Sequence, residues 1–376
     1  MHLSTLTNRT LLCACALLPL TSNALELHGK ELELYGTLHA SLDYMDSDVS
    51  KAEADASTDD KLSDGDISLS YNSSNIGLRG EIGTDVEDLK LVYQIEQNIL
   101  LDGSSSDTLD TRNSFAGLKT SDWNLIAGRH DTLFKDLALR HSLIKHTIAD
   151  RGAILGASAI RGNQMDKRAE NMVLGRYFMA AGSGKLELQM QYSADAIKSS
   201  GYVDNNKRDL FAAGVEWKNS DRVLAMAYDH WSNLTIGSDT GEVNAWRAVW
   251  KETGSQLTTS LILESIDHTL NSGDKGEMDR DAFALQASWK QGSLRWLGQV
   301  MMADSYADTK DTGATVLSAG VEKDLSKSAQ LYTMYTRTNN EKNAKYQAVD
   351  GTHGDELGTV NGGSPQALSV GMIFKF

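Results

Sequence analysis

From Lys30 onward, apolar and polar residues alternate with a period of two, the mark of strands with two unlike faces. In ELELYGTLHASLDY, residues Leu32, Leu34, Leu38, Ala40 and Leu42 share one face. Glu33, Tyr35, Thr37, His39, Ser41 and Asp43 share the other. KLELQMQYS repeats the arrangement, with Leu186, Leu188, Met190 and Tyr192 set against Lys185, Glu187, Gln189 and Gln191. Such runs predict about sixteen strands, over 31–44, 66–82, 89–100, 111–120, 123–130, 169–180, 184–195, 207–218, 222–232, 243–252, 256–267, 280–290, 293–303, 313–324, 327–338 and 366–376. No helix of more than two turns is predicted outside residues 131–168.

The connections carry as much information as the strands. Short ones such as GTDVED, AGSG and KQGS alternate with long polar ones, among them 45–65, 131–168, 195–206, 268–279 and 339–365. Seven short turns on one side and eight long loops on the other predict an all-β fold, a sixteen-stranded antiparallel transmembrane barrel. In lipid the sheet has to close, because an open edge would leave backbone groups without partners. The seven Trp all fall within about four residues of a predicted turn or loop, where aromatic girdles sit at the two membrane interfaces. A soluble β-sandwich or propeller would account for the alternation but not for the loop asymmetry or the tryptophans. The last residues, QALSVGMIFKF, place Leu368, Val370, Met372, Phe374 and Phe376 on one face, a strand suited to closing the barrel against the first.

Composition narrows the setting. The chain has 376 residues, 51 acidic against 36 basic. Its first residues read as a cleaved secretory signal over 1–24. One basic residue, Arg9, precedes the apolar run LLCACALLPL, and Ser22-Asn23-Ala24 offers a small-x-small cleavage site. Both cysteines lie in that run, so the expected mature domain, 25–376, has no disulfide, and loss of Arg9 takes its net charge from −15 to −16. So acidic a chain is a poor nucleic-acid binder. No catalytic, cofactor or metal set is found: H-E-x-x-H is absent, Gly156-Ala157-Ser158 lacks the last Gly of a nucleophile elbow, and GSGK at 182–185 reads as a hairpin turn.

At this point the chain resembles the general porins of the Gram-negative outer membrane, a sixteen-stranded trimeric family. Three motifs carry the resemblance: SSNIGLRGEIG at 73–83, TRNSFAGLK followed by WNLIAGRHDT at 111–132, and the terminal GMIFKF. It implies a homotrimer of water-filled channels for small hydrophilic solutes and ions, each narrowed by an inward-folded third loop, here about 131–168. It also implies that Phe374 and Phe376 belong to a signature read by the barrel-assembly machinery. Arg112 matches the family's lumen-facing arginine, and simple parity then sends Phe115 to lipid and Arg112 and Ser114 to water. Arg79 matches a basic position of the second strand. Asn75 and Thr37 depart from the family pattern, which thins the basic wall. Arg129 stays open between the pore and a subunit interface.

The charge of the loop is unexpected. Lys135, Arg140, Lys145, Arg151, Arg161, Lys167 and Arg168 face Asp131, Asp136, Asp150 and Asp166, a local net of +3, with His130, His141 and His146 close by. Fixed charge nearest the narrowest point sets selectivity. The expectation is therefore a balanced or mildly anion-preferring pore lined by Arg79, Arg112, Arg140, Arg151, Arg161, Arg168, Asp131, Asp150 and Asp166. The opposing reading is that half of the basic residues touch the wall or lipopolysaccharide phosphates and never meet the permeant. Acidity is concentrated in outer loops such as 45–65, a solvated surface suited to lying beside lipopolysaccharide. A substrate-selective channel and a barrel-type adhesin or receptor remain as alternatives. The single aromatic residue of 131–168, Phe134, argues against an aromatic sugar track.

Overall fold

In the computed structural model, residues 25–26, 29–59, 61–100, 109–197 and 208–376 are described. The expected signal segment, 1–24, lies outside them. Sixteen antiparallel strands follow one another around a closed barrel. They are β1 (Glu33–Asp46), β2 (Asp64–Tyr71 and Asn75–Gly83), β3 (Lys90–Ile99), β4 (Leu109–Thr111 and Ser114–Lys119), β5 (Trp123–Asp131) and β6 (Arg168–Ala181). Next come β7 (Gly184–Ser193), β8 (Leu210–Lys218), β9 (Arg222–Ile236), β10 (Asp239–Thr253) and β11 (Leu257–Leu270). The circuit ends with β12 (Arg280–Gln291), β13 (Leu294–Ala303), β14 (Ala314–Asp324), β15 (Ala329–Asn340) and β16 (Gln366–Lys375). Pairing of β16 with β1, from Thr37↔Lys375 to Asp46↔Gln366, closes it. The last residue joins the seam, since Phe376 and Gly36 exchange backbone hydrogen bonds of 2.9 and 3.1 Å.

The two faces follow the alternation in the sequence. Leu42, Met190, Leu263, Leu285 and Val370 are exposed on the outer surface, while His39, Ser41, Asp43, Gln191, Glu264, Gln286 and Ser369 on the same strands are buried inside. Five of the tryptophans, Trp123, Trp217, Trp250, Trp289 and Trp296, sit next to short turns, as an interfacial girdle would. Two depart from that expectation. Trp246 lies in mid-strand against Tyr228, with ring centroids 4.3 Å apart, and Trp231 is fully buried inside the barrel.

Seven connections are short and at one end. At the other end one of the eight expected long loops is only two residues, 237–238. There β9 and β10 continue past their predicted ends. Leu234, Ile236 and Val243 are buried, so the extension is held by packing inward rather than left to water.

One bulge changes a face. Between the pairs Gln97↔Thr111 and Gln94↔Phe115, β4 spends one residue more than β3. Arg112 and Phe115 consequently both face the lumen, and Phe115 packs against the interior cluster. The expectation that Phe115 meets lipid is thereby corrected. A second bulge separates Ala169 from Met172 opposite β5. Arg129 lies in it, 3.7 Å from Glu170.

The hydrophobic core is not between two sheets but between the wall and an inserted loop. Leu133, Phe134, Leu137, Ile154 and Leu155 pack on Leu174, Ala212, Trp231, Val243, Ala245 and Ile262. Each large apolar side chain buried this way contributes roughly 1.5–3 kcal/mol.

Candidate functional site

The segment after β5 turns into the barrel because its local chemistry starts and stops a short helix there. The hydroxyl of Thr132 accepts from Lys135 N and caps α1 (Leu133–His141), Asp136 sits in its first turn, and Arg140 and His141 sit in its last. Leu133, Phe134, Leu137 and Ala138 form one apolar face of α1 and are buried against the wall.

Polar wall residues then clamp the segment. Buried Arg247 donates to Phe134 O at 3.0 Å, to Asp166 Oδ1 at 2.9 Å and to Glu264 Oε2 at 2.8 Å, with its guanidinium 3.7 Å over the Phe134 ring. Glu264 accepts in turn from Gly156 N at 2.9 Å and from Arg280 at 3.0 Å, and Arg280 donates to Ile154 O at 2.7 Å. Further along, Gln286 accepts from Leu143 N at 2.7 Å and Gln299 donates to Ala149 O at 3.0 Å. The segment is thus fastened over β7 to β13. Arg247, Glu264, Arg280 and Gln286 escaped the sequence reading. Their signal is a charged or amide residue at an inward position otherwise held by small or apolar ones, as in Ala245-x-Arg247-x-Val249.

A second loop also enters. In 341–365, Ala344, Tyr346, Ala348, Val349 and Leu357 are buried, although the segment was expected to be an outer polar loop. Asp350 accepts from Asn163 N at 2.6 Å, Lys345 N donates to Ala159 O at 2.7 Å, and Thr352 donates to Asp150 at 2.9 Å while His146 Nδ1 reaches its hydroxyl at 2.6 Å. On the opposite wall His353 meets Asp43 at 3.2 Å, Ser73 donates to Thr352 O at 2.7 Å, and Gly354 N donates to Asn72 at 3.1 Å. The two loops approach closely at Gly152, where an added Cβ would stand 2.6 Å from the Cα of Gly351. The last loop thus bridges the third loop and β1–β2.

The expected site residues fall into two groups. Arg79 faces the lumen near the short-turn end, 2.8 Å from Glu33 and 4.7 Å over the Tyr35 ring. Arg112 pairs with Glu96 and donates to Asn98 at 2.6 Å. Arg140 reaches Glu216 at 2.8 Å, and Arg161 reaches Glu277 at 2.8 Å from a partly exposed position in the loop. Arg168 lies 3.3 Å from Asp131. Arg151 and Asp150 are buried in the loop's packing, Asp131 is buried at the end of β5 where the loop departs, and the Asp166 side chain is almost wholly covered, so none of the four is set on a water-facing surface. Arg151, for example, bonds Asp166 at 2.8 Å. These four serve the loop's own order, because a buried charge needs a partner within reach. Burial also moves protons here. It holds the His146 imidazole well below its usual range, helped by the charges of Arg112 and Arg151, and raises Asp350 well above the ordinary carboxylate range, helped by Glu356. Among the described residues no group of three or more His, Cys, Asp or Glu is placed to hold a metal ion.

Comparison with known proteins fits this geometry. A family model described as Gram-negative porin matches residues 10–343. No curated protein sequence matches the chain. The fold is similar to that of an anion-selective porin from Comamonas acidovorans, with a TM-score of 0.73 and 17% identity over 92% of this chain and 99% of that one. It is similar also to a trimer form of in-vitro folded OmpT from Vibrio cholerae, at 0.63 and 14% over 92% and 99%. A Salmonella typhi OmpF in complex with daunomycin gives 0.63 and 14% over 92% and 97%. At such identities the structural likenesses bear on the fold alone, and the assignment comes from the family match across most of the chain. The chain belongs to the Gram-negative porin family and forms a channel of the outer membrane.

Proposed function

We propose that the channel passes small hydrophilic solutes and ions passively, with a mild preference for anions, and that it works as a homotrimer. The observation that carries this reading is a closed barrel with a polar inner wall, narrowed by a loop whose formal charge is +3. In this reading Arg79, Arg112, Arg140 and Arg168 are the arginines that meet the permeant, with Arg161 further out. The similar Comamonas acidovorans structure is described as an anion-selective porin, and OmpT of Vibrio cholerae is known in a trimer form; both support the same properties here. A channel rather than an enzyme is what family and fold point to. Export through the 1–24 signal, recognition of the Phe374–Phe376 end by the barrel-assembly machinery and contact of the acidic outer loops with lipopolysaccharide complete the reading.

Purified protein recorded in a planar bilayer under a KCl gradient tests it. Conductance in three equal steps with a zero-current potential on the chloride side is the expected result. A potential on the potassium side would keep the pore and remove the anion preference. A folded protein without conductance would shift the reading to a plugged receptor.

A further inference from the structure

The arginines that stand out in the sequence are almost all cancelled. Arg79, Arg112, Arg140, Arg161 and Arg168 each sit beside a carboxylate, so a passing ion meets dipoles rather than net charge. Lysines carry the surplus. Lys145, Lys251 and Lys375 take part in no ion pair among the described residues, and the Lys145 ammonium donates only to a backbone oxygen, Arg140 O at 3.3 Å.

These three converge. Lys145 and Lys251 flank the C-terminal end of α1. Lys145 binds the Arg140 carbonyl there, and Lys251 is the register neighbour of Ser260, whose hydroxyl donates to His141 O at 3.1 Å. Lys251 shares the inward face of β10 with Arg247 and Val249, both buried under the loop. Lys375 comes from the other wall, paired with Thr37 two residues before the inward-facing His39. The charges of Lys251 and Lys375 both act on Lys145, as do those of Arg151 and Asp150 from its own loop. Lys251 and Lys375 lie toward the short-turn ends of their strands, which puts the cluster at the short-turn side of the loop.

Resting on the reading of the chain as a diffusion pore, we propose that Lys145, Lys251 and Lys375 are the selectivity-determining residues, a stopping place for small oxyanions such as inorganic phosphate. Three ammonium groups outside any ion pair, with Asp150 acting on Lys145 and Glu322 on Lys375 only from a distance, favour an anion over a cation, and each gains twice as much from a doubly charged oxyanion as from chloride. Lysine suits the task because it offers a mobile point charge that binds and releases, where a forked arginine–carboxylate pair is already satisfied.

The test uses the whole protein in planar bilayers under a KCl gradient, comparing wild type with K145Q, K251Q, the double variant and K145R. Each glutamine variant lowers the chloride-to-potassium permeability ratio by at least about fivefold, since one unit charge at roughly 4 Å in water is worth that factor for either ion alone, and the double variant lowers it further. Millimolar inorganic phosphate reduces wild-type chloride current and loses that effect in the double variant, while K145R keeps both properties. An independent readout is pH. Burial and the neighbouring positive charges push Lys145 down to about 8, so raising the pH from 7 to 9 removes its proton and moves the zero-current potential toward the cation side. K145R, which does not titrate there, stays put. A double variant with wild-type permeability ratio and wild-type phosphate sensitivity overturns the filter. The difference between variant and wild type reads the filter whatever the sign of the wild-type potential, so a pore without anion preference would fail the broader reading separately.

Discussion

Among the described residues two loops enter this barrel, and they do so with different balances of packing and bonding. The third loop, 132–167, brings its own apolar surface and is fastened by buried charge: Arg247, Glu264, Arg280 and Asp166 form one connected network beneath a cluster of leucines and isoleucines. The last loop, 341–365, buries fewer large apolar side chains, Tyr346, Val349 and Leu357 among them. It relies more on scattered polar contacts, from Asp350, Thr352, His353, Asn72 and Ser73 and from the pair of Glu356 with Lys61. A lumen that is polar offers both routes inside. A segment can be buried because it is greasy, or because every polar group it carries finds a partner.

Excising residues 344–362 from the last loop gives the largest expected change. The closure of β16 on β1 and the pairing of β15 with β16 do not depend on those residues, so melting of the barrel moves little while each conductance step rises. Steps of unchanged size would mean that the loop does not narrow the water path. For the third loop the sharper tool is Arg247→Ala, which leaves Glu264 and Asp166 short of a partner in the seam. Removing one member of such a buried pair costs about 3–5 kcal/mol. The loop should become open to limited proteolysis between 132 and 167 in detergent. Protection equal to wild type would assign the docking to the apolar cluster alone.

The same contrast explains what was legible in the sequence. All sixteen strands could be read, since each keeps one face to lipid and one to the lumen or the loop that fills it, and period-two alternation is the direct image of that arrangement. The entry of 131–168 was legible because ALRHSLIKHTIADRGAILGASAIRG carries apolar residues that no outer loop needs. The entry of 341–365 was not. EKNAKYQAVDGTHGDELGTVNGGSP has the composition of a solvated loop, and its burial depends on partners such as Asp43 and Asn72, some 300 residues away. The inward turn of Phe115 was hidden for a related reason. A bulge at 112–114 shifts parity by one, and nothing in SFAGLK announces the extra residue. Among site residues, chemistry singled out the arginines as candidates, but pairing decides which of them can act on an ion, and pairing is a property of the closed barrel.

The smallest expected effects separate the two loops most finely, because they test how far polar bonding holds the last one. Thr352→Val removes a hydroxyl that accepts from His146 and donates to Asp150, and costs about 1–3 kcal/mol, because buried Asp150 and partly buried His146 are both left short of a bond. Proteolysis at 346–358 should quicken while 132–167 stays protected. Asp350 adds a dependence on pH with a definite sign. Burial and nearby Glu356 raise its carboxyl well above the ordinary range, against the opposing pull of Lys61 and of the Gly351 and Asn163 amides. The docked loop therefore holds a proton that the released loop gives up at ordinary carboxylate pH. This contribution is complete below the released value and fades as pH rises through the docked one. Wild-type protection of 346–358 should decline with rising pH, and Asp350→Asn, neutral throughout, should remove that decline. A decline that persists unchanged in the asparagine variant would place the titrating group elsewhere and leave the last loop held by bonds that do not titrate.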